Sequence, residues 1–367
     1  MRVKSIDTYR GFCIVNIMMV HLLTGWIILE QFWLQDLYFA TLDVFGACAF
    51  IFISGISVSI FFQRKKQEFS IYKHFNKKRV LRNEYLIKGF IILIMAFIAM
   101  FSQAIFFSDI TWFWNWDILH SLAIAQLLGF IFLKASKKVR IISGIYLLIL
   151  NLFIFEFLLP YNGELNFFGG LYFFLYNKKM VVNNPLLPSL AVFLLGTVVG
   201  EIIHEIKQIE NKNERKKMVK NKLLYPSIIC GFILMLLGIH HDYPIFLSNR
   251  SSSWYFFTVG INLIAIASLF TIEQFEVFKF KKNYRFFYYF SFYSLTVYIF
   301  HYLLGFIFLH LLDIYYFIIV FGITVALLAL LLNKVHDKYS WKVSIKSIIG
   351  KVSSEIAAII ELSLIKY

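Results

Sequence analysis

The stretch that decides the fold is residues 11–34, GFCIVNIMMVHLLTGWIILEQFWL, entered from the polar segment MRVKSIDTYR. It is almost wholly apolar and long enough for a bilayer crossing, which takes ~20 residues. A cation, Arg10, stands at its edge and a histidine, His21, lies inside it. Eleven residues at ~100° each come to very nearly three full turns, so Arg10 and His21 face the same way, ~16 Å apart along the axis. Ionisable side chains inside a membrane are costly and mark functional sites by default. One face thus offers a fixed cation at the membrane edge and a titratable ring near the midplane, against which a long anionic ligand can lie.

The rest of the chain extends that reading. Of 367 residues, 60% are hydrophobic and only five are proline, which defines an all-α, polytopic membrane helical bundle. Spans are expected at about 11–34, 38–63, 85–107, 116–133, 140–159, 186–204, 223–240, 253–272, 286–310 and 314–333, ten in all. With that alternation, all but Lys178, Lys179 and Arg250 of the 36 basic residues fall on one side. The positive-inside rule makes that side, and both termini, cytoplasmic. The net charge of +15 is therefore a topology signal that also suits anionic lipid, and no nucleic-acid role is needed to explain it. The N-terminal segment runs into the first span without a cleavage site, so no removable signal peptide is expected. Cys13, Cys48 and Cys230 fall at unrelated spacings in apolar segments and suggest neither a metal site nor a disulfide framework. The Lys, Ile, Asn and Phe bias points to an AT-rich microbial genome and hence to a plasma membrane.

Two segments fall outside the simple pattern. In 161–185, FFGGLYFFLY is too short to span, which leaves a lid over an outward cavity or an aromatic interface anchor. In the tail, Ile345, Ile348, Ile349, Val352, Ile356, Ile359 and Ile360 recur at helical spacing with Lys342, Lys346, Lys351 and Glu355 among them. This predicts an amphipathic, structural helix on the cytoplasmic surface. The domain division expected is 1–335 for the membrane part and 336–367 for the tail.

Three of nine histidines, His21, His120 and His301, fall within spans and in the middle-to-outer half of the membrane, where they can line one cavity. The alternative for each is a hydrogen-bonded interhelical histidine. His301 shares a face with Ser294 and Tyr298, His120 follows Asp117 by three residues, and Asp43 enters the second span from outside. On the basic side, Arg79 and Arg82 at i and i+3 can share a face and grip phosphate; ordinary topology charge is the alternative. His74, His204 and His336 belong to the basic side, and His240, His241 and His310 to the outer rim. HExxH, GxSxG and phosphate-loop motifs are absent, and Gly196 with Gly200 reads as close helix packing.

These residues fall in a familiar order. The Arg10-x10-His21 pattern resembles the opening of the transmembrane acyltransferase superfamily. The closer resemblance is to the heparan-alpha-glucosaminide N-acetyltransferase catalytic-domain family. It is carried also by FIFISGISVSIF (50–61), WDILHSLAIAQLLGF (116–130), NPLLPSLAVFLLGTVVGE (184–201) and SFYSLTVYIFHYLL (291–304), over about residues 1–335. Arg79-x-x-Arg82 resembles the RxxR of acyltransferase relatives. The lysosomal branch carries asparagine where His21 stands, so His21 follows the wider superfamily. The resemblance implies acetyl transfer from cytoplasmic acetyl-CoA, across the membrane, to a sugar amine or hydroxyl of a glycan or glycolipid on the far side.

Together these expectations place the CoA nucleotide at Arg10, Arg79 and Arg82. They put His21 at the thioester as general base or transient acyl carrier, with His301 and His120 beside it and Asp43, Asp117, Tyr298 and Ser294 toward the acceptor. No metal is expected, and a homo-oligomer is left open. The rival class is a proton-coupled carrier of a small anion. Against it stands the lack, in the sequence, of paired Gly/Pro-broken spans in the two halves.

Overall fold

The computed structural model describes residues 2–71, 77–106, 109–114, 117–176, 184–242, 251–277 and 285–365. His74, Lys178, Lys179 and Arg250 lie outside the described residues. The described chain is helical, with a lone bridge between Ile27 and Leu312 as its extended contact. In chain order the helices are α1 (Lys4–Trp26), α2 (Trp33–Thr41), α3 (Ala47–Ile71), α4 (Lys77–Phe106), α5 (Ile118–Leu133), α6 (Lys137–Leu158) and α7 (Phe167–Tyr176). There follow α8 (Leu186–Lys207), α9 (Lys212–Met218), α10 (Tyr225–Asp242), α11 (Ser252–Phe275), α12 (Arg285–Phe292), α13 (Ser294–Gly305), α14 (Ile314–Tyr339) and α15 (Ile345–Ile365).

Seven helical segments among the described residues are long and apolar enough to cross a membrane, against the ten continuous spans suggested by hydropathy. The differences are physical. Helix α1 has the length, but Arg10, Asn16 and His21 dilute its apolar character, and its Cys13, Leu22 and Trp26 are fully buried at the centre of the bundle. The span expected at 116–133 is the shorter helix Ile118–Leu133, and the one expected at 38–63 qualifies only from Asp43 onward: α2 ends at Thr41, a single 3-10 turn covers Asp43–Phe45, and α3 begins at Ala47. The span expected at 286–310 is interrupted at Tyr293, between α12 and α13.

A helix can break inside a membrane only where other groups satisfy the freed backbone, and both interruptions meet that condition. At the first, Asn16 Nδ2 donates to the Leu42 carbonyl (2.9 Å) and Asn262 Nδ2 to the Val44 carbonyl (3.0 Å). At the second, Lys346 Nζ donates to the Ser291 carbonyl (2.6 Å) and Ser344 Oγ to that of Phe292 (3.0 Å). A hydropathy window averages over such breaks and cannot register them.

Helices α1 and α12–α13 run side by side in the same direction. The backbone of Gly11 lies against the Phe287 carbonyl, so closely that any side chain there would collide with it. At the other end Trp26 Nε1 donates to the Leu304 carbonyl at 2.8 Å. The end of this pair carrying Arg2, Lys4 and Arg10 is termed the basic end below. Helices α3 and α8 also approach closely, with Gly200 against the Ile56 carbonyl. Gly200→Leu should therefore wedge α8 from α3 and cost about 1–3 kcal/mol, seen as a lower Tm in detergent. An unchanged Tm would show that this contact is not tight.

The tail forms the expected helix, α15, but with its amphipathicity turned outward. Its inward face carries one core isoleucine, Ile349, and is otherwise small and polar: Ser353, Ala357 and Glu361 are buried, whereas Ile348, Val352, Ile356 and Ile359 are exposed. That polarity suits a helix whose outer surroundings are lipid. It starts beside the α12–α13 interruption and ends against the first turns of α4.

Candidate active site

The parallel pairing of α1 with α13 decides which rings meet. His21 on α1 and His301 on α13 face each other across this pair, and their ring centroids stand 4.8 Å apart. Tyr302 closes the group, 5.0 Å from His21 and 4.2 Å from His301. One turn back on α13, the Tyr298 hydroxyl bonds both carboxylate oxygens of Asp117 at 2.6 and 2.7 Å and lies 3.4 Å from the Tyr302 hydroxyl. Asp117 reaches this position as the residue that opens α5.

His301 Nδ1 contacts the backbone carbonyl of Tyr298. A carbonyl only accepts, so Nδ1 carries the proton and Nε2 keeps its lone pair. That Nε2 is buried and has no hydrogen-bond partner among the described residues. A buried basic nitrogen, held in one tautomer by its own backbone on a ring tilted 51° against a second imidazole, is equipped to take a proton from a bound molecule.

The other expected residues divide. Ser294 is buried on the same face of α13, two turns before His301. His120 lies one turn past Asp117, with its ring edge-on to Phe97 at 4.7 Å. It thus approaches the imidazole pair through the Asp117–Tyr298 bond, and no direct ring contact of His120 with either of the other two histidines is seen. Asp43 is buried in the turn between α2 and α3. That turn is tied to Asn16, and Asn16 points ~140° away from His21 around α1. The structure therefore groups Asp43 with Asn16, Asn262 and Tyr9, whose hydroxyl donates to Asn262.

At the basic end, Arg10 bonds Ser57 Oγ through Nη2 and Ser291 Oγ through Nη1 (3.2 Å), with Asp7 at 3.7 Å. Asp7 also accepts from Arg2 Nε at 2.6 Å and from Ser291 Oγ at 3.2 Å. Arg79 and Arg82 are not part of this cluster. They line a separate groove of about 460 Å³ between α4 and the end of α15, with Asn83, Phe90 and Ile360. There Arg79 Nε faces Glu361 at 3.9 Å. Fifteen residues of α15, ~22 Å of axis at ~1.5 Å each, separate Lys346 at Arg10 from Glu361 at Arg79. The guanidinium groups accordingly form two sites.

Sequence reasoning missed Tyr302, Asn16, Asn262 and the role of Lys346. Tyr302 adjoins a singled-out histidine but is hidden in a chain with 21 tyrosines. The two asparagines were findable as polar residues inside apolar runs.

The fold and this site define a multi-pass helical membrane protein with an imidazole pair, one ring buried and one half-buried, above a cationic cluster. The family described as heparan-alpha-glucosaminide N-acetyltransferase, catalytic, matches residues 2–241, and the chain belongs to it. The match covers His21, Arg10 and Asp117 and ends before α12, so His301, Tyr298 and Lys346 lie beyond it. Membership marks the chain as a membrane transferase of the acetyltransferase kind. No curated protein matches it.

Proposed function

We propose that the protein moves an acetyl group from cytoplasmic acetyl-CoA to a sugar amine or hydroxyl presented from the far side of the membrane. The observation that carries this reading is the His21–His301 contact, set ~16 Å above the Arg10 cluster on one face of α1. A thioester donor with phosphates at one end and its acyl group at the other fits that spacing. Arg10 would hold a phosphate, and the groove of Arg79 and Arg82 a more distant one.

The donor supplies the acyl carbon and a thiol leaving group. The chain supplies the proton handling. His301 Nε2 takes the proton of the acceptor amine or hydroxyl as the new bond to the acyl carbon forms and the carbon–sulfur bond breaks, then returns it to the departing sulfur. His21, against the same ring, orients the acceptor or shares the base role. The Tyr302 hydroxyl donates to the oxyanion, while Tyr298 gives its single proton to Asp117 and fixes the position of that carboxylate beside the site. His120 is on the acceptor side; Ser294, one turn from the Ser291 that holds Arg10, lies toward the donor end, and Asp43 stands apart in its own turn beside Asn16.

One observation favours the carrier reading: two interrupted helices, absent from the sequence reasoning, are a feature of transporters. Acetyl-CoA labelled in the acetyl group separates the two, in proteoliposomes with a hexosamine acceptor on the far side. Label on the acceptor and free thiol in equal amounts support transfer. Intact labelled thioester carried across the membrane would establish a transporter instead.

A further inference from the structure

The tail helix ends its first turn in the Arg10 cluster. Lys346 Nζ donates to the Ser291 carbonyl at 2.6 Å, while Arg10 Nη1 donates to the hydroxyl of that same serine at 3.2 Å. Two cations from opposite ends of the sequence thus share one residue. The carboxylate beside them, Asp7, is already engaged by Arg2 at 2.6 Å. Arg2, Arg10 and Lys346 lie around the one carboxylate of Asp7; Arg10 and Asp7 keep only 12% and 16% of their side-chain surface exposed, whereas Arg2 keeps 48%. Partly buried like charges repel strongly in a low-dielectric setting. The arrangement is stable when an anion of more than one charge lies between the cations.

We propose that Lys346 is a binding residue for the phosphate of the donor, paired with Arg10, and that α15 is a wall of the donor site rather than a purely structural tail. This rests on the acetyl-CoA reading above. The competing account is that Lys346 does no more than cap a carbonyl freed at the α12–α13 interruption. The two accounts differ in the measurement they move: capping contributes to the stability of the ligand-free protein, and phosphate binding to affinity.

The test is calorimetric titration of coenzyme A into the detergent-solubilised full chain, together with the ligand-free Tm. Lys346→Met should weaken coenzyme A binding by about tenfold, the share of one charge-assisted contact. Lys346→Gln keeps a donor for the Ser291 carbonyl, so it should preserve folding and still show the loss. Lys346→Arg should restore most of the affinity. Unchanged affinity in Lys346→Gln, or a loss confined to the Tm, overturns the inference while leaving the donor reading in place. If the unsubstituted protein fails to bind coenzyme A, the donor reading itself falls, and the inference with it.

Discussion

His301→Ala should lower kcat for acetyl transfer by about a hundred- to ten-thousand-fold, the range that one positioned general base contributes. His301 is singled out over His21 and His120 by its tautomer. The Tyr298 carbonyl occupies Nδ1 and leaves the buried Nε2 as the basic nitrogen. Alanine removes that nitrogen and keeps α12 and α13 in place, since their contacts with α1 through Phe287 and Leu304 do not involve the imidazole. His21→Ala should also depress kcat. If the two rings act as a unit, the double variant should be little worse than the worse single one, because such effects are not additive. The measurement is kcat with labelled acetyl-CoA, with the Tm checked in parallel. A well-folded His301→Ala protein turning over within a few-fold of the parent would remove His301 from the chemistry, and independent additive losses would dissolve the pair.

What the sequence discloses, and what it hides, follows from the range of the forces involved. Helicity and membrane class are local properties: apolar runs of spanning length report them directly. The shared face of Arg10 and His21 is equally local, because α1 is uninterrupted from Lys4 to Trp26 and the spacing fixes the angle. Interruptions are another matter. The turn at Asp43–Phe45 is stabilised by Asn16 and Asn262, and Asn262 stands 218 positions from its acceptor. The break at Tyr293 depends on Ser344 and Lys346, 52 and 55 positions from the carbonyls they satisfy. Hydropathy therefore reads both regions as continuous spans.

Lys346 shows the limit most clearly. In the sequence it is one lysine among several on an amphipathic tail, and a membrane-surface helix with a structural role is the natural reading. Its partner, Ser291, is set by how α15 packs beneath α12 and α13, a tertiary fact with no local signature. The division of the arginines is of the same kind. Arg10, Arg79 and Arg82 all belong to the basic side by charge counting, and counting carries no information on distance within a side. The intervening length of α15 separates them.

That separation gives the second large effect. Arg10→Ala should raise the dissociation constant for coenzyme A by about ten- to a hundredfold, the loss of a charged hydrogen bond at ~1.5–3 kcal/mol. Its guanidinium is nearly enclosed and held on two sides by Ser57 and Ser291, so its direction is fixed before a ligand arrives. Such preorganisation converts more of the interaction into affinity. Arg10→Lys should recover only part of it, because a single ammonium cannot bond both serines in that geometry and still face a phosphate. Arg79→Ala with Arg82→Ala should cost less, within about fivefold. Arg79 is 40% exposed and already faces the buried carboxylate of Glu361 at 3.9 Å, which competes with a phosphate for it. The order of these two effects locates the donor. If the Arg79–Arg82 pair proved the stronger determinant, the phosphates would sit in the groove between α4 and α15. The donor would then have to pass ~22 Å along the tail helix before its acyl group could come near the imidazoles, and the one-face geometry of α1 would lose its role in catalysis.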